Sequence, residues 1–66
     1  MNYKELINKL NSYTFNKGLV LIYFKKEIFA NSQLYAKGND IKELSSNLVD
    51  AITKKGTKGI FQIVEI

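Results

Sequence analysis

Leu19-Val20-Leu21-Ile22-Tyr23-Phe24 is the longest apolar run in the chain, and the choice between sheet and helix for these six residues separates an α+β fold from an all-α one. The six residues are β-branched or aromatic at Val20, Ile22, Tyr23 and Phe24, the types that favour extended backbone. Both parities are apolar, so the run reads as a central strand covered on both faces. Leu21, Phe24, Ile28 and Phe29 also fit a helical stripe, which gives an all-α alternative. Strand propensity throughout 19–24 favours the sheet. The run is far too short to cross a membrane, which takes about 20 apolar residues.

Upstream, Tyr3, Leu6, Ile7 and Leu10 recur at i, i+3, i+4 and i+7, predicting a helix from about Asn2 to Ser12. Asn2 suits the N-cap, and Glu5 stands where a capping box needs its return acceptor. Asn16-Lys17-Gly18 then reads as a turn. Downstream, Lys25-Lys26 reads as a reversal into a second strand over Glu27–Lys37, with a break or bulge at Asn31-Ser32. Asp40 is an N-cap and Glu43 lies three residues on. Ile41, Leu44, Leu48 and Ile52 form one helical stripe, and Lys54 and Lys55 favour the negative end of that helix. Gly56 suits the position just past it. Gly59–Ile66 reads as a last strand.

The expected architecture is a single α+β domain over 1–66, in the order α-β-β-α-β. A three-stranded mixed sheet with strand order 2-1-3 follows from placing the doubly apolar strand in the middle. That order has a consequence for charge. It brings Lys25 and Lys26 to the same end of the sheet as Lys54, Lys55 and Lys58, half of the ten lysines in the chain. These five residues are the candidate anion- or partner-binding site. Glu27 is the acid expected nearby.

Composition narrows the chemistry. The 66 residues contain no Cys, His, Trp or Pro, and every basic residue is Lys. The usual metal ligands, general base, thiol nucleophile and bidentate phosphate reader are therefore missing. The six acids show no spacing suited to acid–base catalysis or to a carboxylate metal site, and Asp40, Glu43 and Glu5 have capping roles. The expectation is no enzyme and no cofactor. Lys55-Gly56-Thr57-Lys58-Gly59 follows its helix rather than preceding it, so it meets the wrong end of the dipole for a phosphate cradle. In Lys58–Val64 only Phe61 could stack a base, fewer than an RNA-recognition strand needs.

Two function classes survive. The first is a small accessory or inhibitory protein that works by protein–protein interaction. The second is a sequence-tolerant nucleic-acid binder using the lysine pole, with Tyr23, Phe29 or Tyr35 as stacking faces, favoured by the net charge of +4. Missing Arg weighs against base-specific readout. If both helices pack on one sheet face, then either Leu19, Leu21 and Tyr23 or Val20, Ile22 and Phe24 need cover, and a homodimer would supply it. Helices on opposite faces would leave a monomer adequate. The polar N-terminal residues and the absence of Cys predict a cytoplasmic protein without a membrane partner. Asn, Lys, Ile, Tyr and Phe make up half the chain, a composition expected of a low-GC bacterium or one of its phages or mobile elements.

Overall fold

The computed structural model of residues 1–66 gives α1 (Tyr3–Asn11), β1 (Val20–Lys25), β2 (Gln33–Gly38), α2 (Ile41–Lys55) and β3 (Ile60–Glu65). The expected element order and strand order both hold, with β1 between β2 and β3. The sheet is not mixed in its hydrogen bonding. β1 pairs antiparallel with each neighbour, and the parallel strands β2 and β3 are separated by it.

Local sequence explains both helices. The Asn2 side chain accepts from the Glu5 amide at 2.9 Å, and the Glu5 carboxylate accepts from the Asn2 amide at 3.0 Å. This reciprocal box satisfies two amides that the first turn of any helix leaves unpaired. At α2, Asp40 accepts from the Glu43 amide at 2.8 Å, while Glu43 reaches back one residue further, to the Asn39 amide, at 2.7 Å. The helix ends at Gly56, whose φ of 76° lies in the region glycine tolerates.

Both helices lie on one face of the sheet. Leu6 and Leu10 of α1 and Leu44, Leu48 and Ala51 of α2 share a single core with Val20, Ile22, Phe24, Tyr35, Ala36 and Phe61. Residues 20, 22 and 24 are 0%, 0% and 1% exposed, whereas Leu21, Tyr23 and Lys25 are only half-buried. β1 is thus central but covered on one side. Leu19, Leu21 and Tyr23 are the set left open. The helical stripe through Phe24, Ile28 and Phe29 does not form.

The second strand departs most from expectation. It begins at Gln33, and residues 26–32 form a loop rather than a two-residue reversal and a longer strand. Within it the Ala30 amide donates to the Glu27 carbonyl at 3.0 Å, closing a turn with Ile28 and Phe29 at its corners. β1 ends at Lys25, so Ile28 and Phe29 have no strand opposite them and their extended propensity goes unused. The irregularity also moves. Ile22 pairs with Ala36 and Tyr23 with Leu34, so Tyr35, not Asn31-Ser32, is the extra residue of a bulge.

That bulge turns Tyr35 and Ala36 to the same side, and both are buried. The Tyr35 ring joins Phe24 and Phe61 at centroid distances of 5.1 and 5.0 Å, within the range of favourable aromatic pairs. Its hydroxyl donates to the Gly56 carbonyl at 2.6 Å and so ties β2 to the end of α2. Burial pushes its phenol above the ordinary value. Close approach explains Gly38, where a Cβ would run into the backbone of Leu44.

Candidate binding surface

The face of the sheet away from the helices is assembled by register alone. Leu21 lies between Lys37 and Val64, Tyr23 between Leu34 and Gln62, and Lys25 beside Ile60. Side chains of residues directly opposite one another share a face. The open face therefore carries Leu21, Tyr23, Leu34, Ile60 and Val64, with Lys25, Lys37 and Gln62 among them. It holds no carboxylate.

The acids are occupied elsewhere. Of the six, Glu5, Asp40 and Glu43 accept from backbone amides at the helix starts. Glu65 lies opposite Val20 and so faces the helix side. Its carboxylate takes the Tyr13 hydroxyl at 2.7 Å and the backbone amides of Asn16, Lys17 and Gly18. This holds the α1–β1 connection onto the end of β3. The Lys17 amide, with the Tyr13 hydroxyl next in effect, brings the Glu65 carboxyl from 4.5 down to about 2. The same bond to Glu65 is the main reason that the Tyr13 phenol is pushed up. Asp50 remains on α2, and Glu27 remains in the loop after β1.

The five lysines picked out by the strand order do lie toward one end. Lys25 pairs with Ile60, so the end of β1 meets the start of β3, and Lys58 lies two residues before it. Lys54 and Lys55 close α2 at the same end, since Lys55 Nζ donates to the Leu34 carbonyl at 2.6 Å. Lys55 is therefore tied to the β2 backbone while keeping its charge, and Lys25, Lys26, Lys54 and Lys58 complete the pole. An open groove of about 400 Å³ runs between β2 and α2, lined by Leu34, Lys37, Asp50 and Lys54 among others.

Among the three aromatics proposed as stacking faces, the structure separates the roles. Tyr35 is core, Tyr23 lies half-buried on the open face, and Phe29 is 96% exposed. Turn corners usually hold Gly, Pro, Asn, Asp or Ser. Here they hold Ile28 and Phe29, a few residues along the chain from Lys25 and Lys26. Leaving a large apolar side chain in water forgoes about 1.5–3 kcal/mol relative to burying it. Local periodicity in the sequence carries no sign of this, because an apolar dipeptide reads as strand until the strand's end is known.

No protein-family model, curated protein or solved structure matches this chain. No helix is long and apolar enough to cross a membrane.

The Glu65 contacts make a pH prediction. The folded carboxyl titrates below its unfolded value, so its contribution is complete above about 4.5 and is lost as pH falls towards about 2. Urea unfolding midpoints of the wild type and Glu65→Gln, compared across that range, should converge as the solution is acidified. A gap that stays constant with pH would contradict the assignment.

Proposed function

We propose that this chain is a non-enzymatic binding domain that docks a protein partner on the open face of its sheet. Its expected setting is the cytoplasm, as an accessory or inhibitory protein of the sort that phages and mobile elements encode. One observation carries this reading: Leu21, Tyr23, Ile60 and Val64 stand half-buried with no element of the chain across them. A contiguous apolar surface rimmed by polar groups is the usual form of an interaction site. Lys25 and Lys37, on a face without carboxylates, fit a partner that is apolar at its centre and acidic at its margin. The composition supports a non-catalytic role, since the chain has neither His nor Cys and four of its carboxylates accept from backbone amides.

Phe29 favours a second reading for the lysine pole. An exposed aromatic on the loop that follows Lys25 and Lys26 suits the way single-stranded nucleic acids are held without sequence preference, bases stacking on a ring while cations follow the phosphates. Lys25, which also stands on the open face, is the residue that the pole and the sheet face share.

The two readings separate cleanly by experiment. A photo-crosslinking amino acid at Tyr23 should yield one discrete protein adduct in the producing cell. The same group at Val49, 63% exposed on α2, should not. Equal adducts from both positions, or none from Tyr23, would contradict docking on the sheet face.

For the pole, fluorescence anisotropy of labelled mixed-sequence single-stranded DNA should show binding at about 50 mM salt that collapses by about 200 mM. Replacing Lys25, Lys26, Lys54, Lys55 and Lys58 with Gln should abolish it. Phe29→Ala should weaken it by the equivalent of about 1–3 kcal/mol, the usual worth of one stacked base. Unchanged affinity in both variants would remove the second reading.

A further inference from the structure

The two edges of this sheet are finished differently. On β2, side chains of α2 occupy the strand's carbonyls: Asn47 Nδ2 donates to Lys37 O at 2.6 Å, and Lys55 Nζ donates to Leu34 O at 2.6 Å. The bulge at Tyr35 bends the same strand, and Lys37 adds a charge to it. Charge, bulges and covering groups are the devices by which natural sheets prevent unwanted pairing at an edge.

β3 carries fewer of these devices: Met1 covers its edge at Phe61 alone, and its one charge, Glu65, is tied to the Tyr13 hydroxyl and to the amides of Asn16, Lys17 and Gly18. Ile60–Glu65 contains no lysine, and its ladder with β1 runs without a register shift. Its outward groups follow from the alternation of an antiparallel ladder. Leu19 and Ile66 exchange both of their backbone bonds, at 3.3 and 2.9 Å. The next exchanging pairs are then Leu21 with Val64, Tyr23 with Gln62 and Lys25 with Ile60. Phe61, Ile63 and Glu65 must point their N–H and C=O groups away from β1.

Phe61 confirms this geometry. Its amide donates to the Met1 carbonyl at 2.7 Å, and its carbonyl accepts from the Met1 amino group at 2.9 Å. The outer edge of β3 therefore already holds one extended residue. The amides and carbonyls of Ile63 and Glu65 have no partner within the chain.

We propose that β3 is the edge through which two copies of this chain pair, antiparallel, into one continuous sheet. Ile63 exchanges bonds with Glu65 of the second copy, and Glu65 with Ile63 of that copy. This register satisfies all four free groups and sets Ile66 of the second copy opposite Gln62, end-on to Met1 on Phe61. It places Val64 directly against Val64 of the second copy on the open face, with the symmetry axis between them.

Charge favours a second copy in this arrangement. Antiparallel pairing sends the two lysine poles to opposite ends of the assembly, so the +4 charges of the copies are kept apart. No like charges stand directly opposite one another across the seam, because the residue on the axis is Val64; the two Glu65 carboxylates are diagonal neighbours on the helix face, each held by Tyr13 and the amides of residues 16–18 of its own chain. Stacking the open faces instead would bring together two surfaces that each carry Lys25 and Lys37. A domain this small also gains from a partner, since it buries only about 60% of its unfolded surface alone.

The test uses the protein alone. Sedimentation velocity across a dilution series should show the mass rising from 7.6 kDa to twice that value with concentration. Val64→Lys and Val64→Glu should each stay at the monomer mass, because like charges face one another across the axis. An equimolar mixture of the two variants should recover the doubled mass. Amide exchange in the wild type provides a readout that needs no variant: Ile63 and Glu65 should slow with concentration while the Lys37 amide on the other edge does not. A wild type that stays at 7.6 kDa throughout would overturn the proposal and leave this edge to a strand from another protein. So would Val64→Lys and Val64→Glu variants that each pair as well as the wild type.

Discussion

One-sided packing of β1 is the constraint on which the rest of the molecule depends. Val20, Ile22 and Phe24 point into the layer formed by α1 and α2, and their exclusion from water fixes which face of the sheet the helices cover. A strand's side chains alternate strictly, so a slip of one residue would expose all three at once. The same alternation leaves Leu21 and Tyr23 on the other side, with Ile60, Gln62 and Val64 of β3 and Leu34 and Lys37 of β2 beside them. Core and open face are two outcomes of one register.

The aromatic cluster shows how that register is held. Phe24, Tyr35 and Phe61 come from three different strands and meet with ring centroids 5.0–5.2 Å apart. Tyr35 joins them only because the bulge turns it to the helix side, and its hydroxyl then anchors the end of α2. At the opposite end of β3, Glu65 does comparable work by gathering the connection between α1 and β1. With Glu5, Asp40 and Glu43 engaged at helix starts, most of the negative charge is drawn onto the helix side and into backbone contacts. The cationic character of the open face follows from this division as much as from the lysines themselves.

How much of this was legible in the sequence depends on how local each determinant is. Both helices were readable because their signals lie within a few residues: Asn2 with Glu5, Asp40 with Glu43, and apolar stripes at helical spacing. The strand order was readable from the doubly apolar run at 19–24, and with it the shared end of Lys25, Lys26, Lys54, Lys55 and Lys58. The expectation that β1 is covered on both faces failed, because apolar residues of both parities also describe a strand with one open apolar face. The start of β2 was misplaced for a related reason. Ile28 and Phe29 have strand propensity, and only the end of β1 at Lys25 shows that they have nothing to pair with. The bulge at Tyr35, the role of Glu65 and the unfinished edge of β3 are tertiary facts, set by residues tens of positions apart.

The sheet is packed on one face and open on the other, and relaxation of methyl protons in the presence of a soluble paramagnetic agent reads that asymmetry. The Leu21 and Val64 methyls should show strong enhancement, and those of Val20 and Ile22 almost none. Equal protection of both sets would mean that the second face is covered and that the sheet is not one-sided.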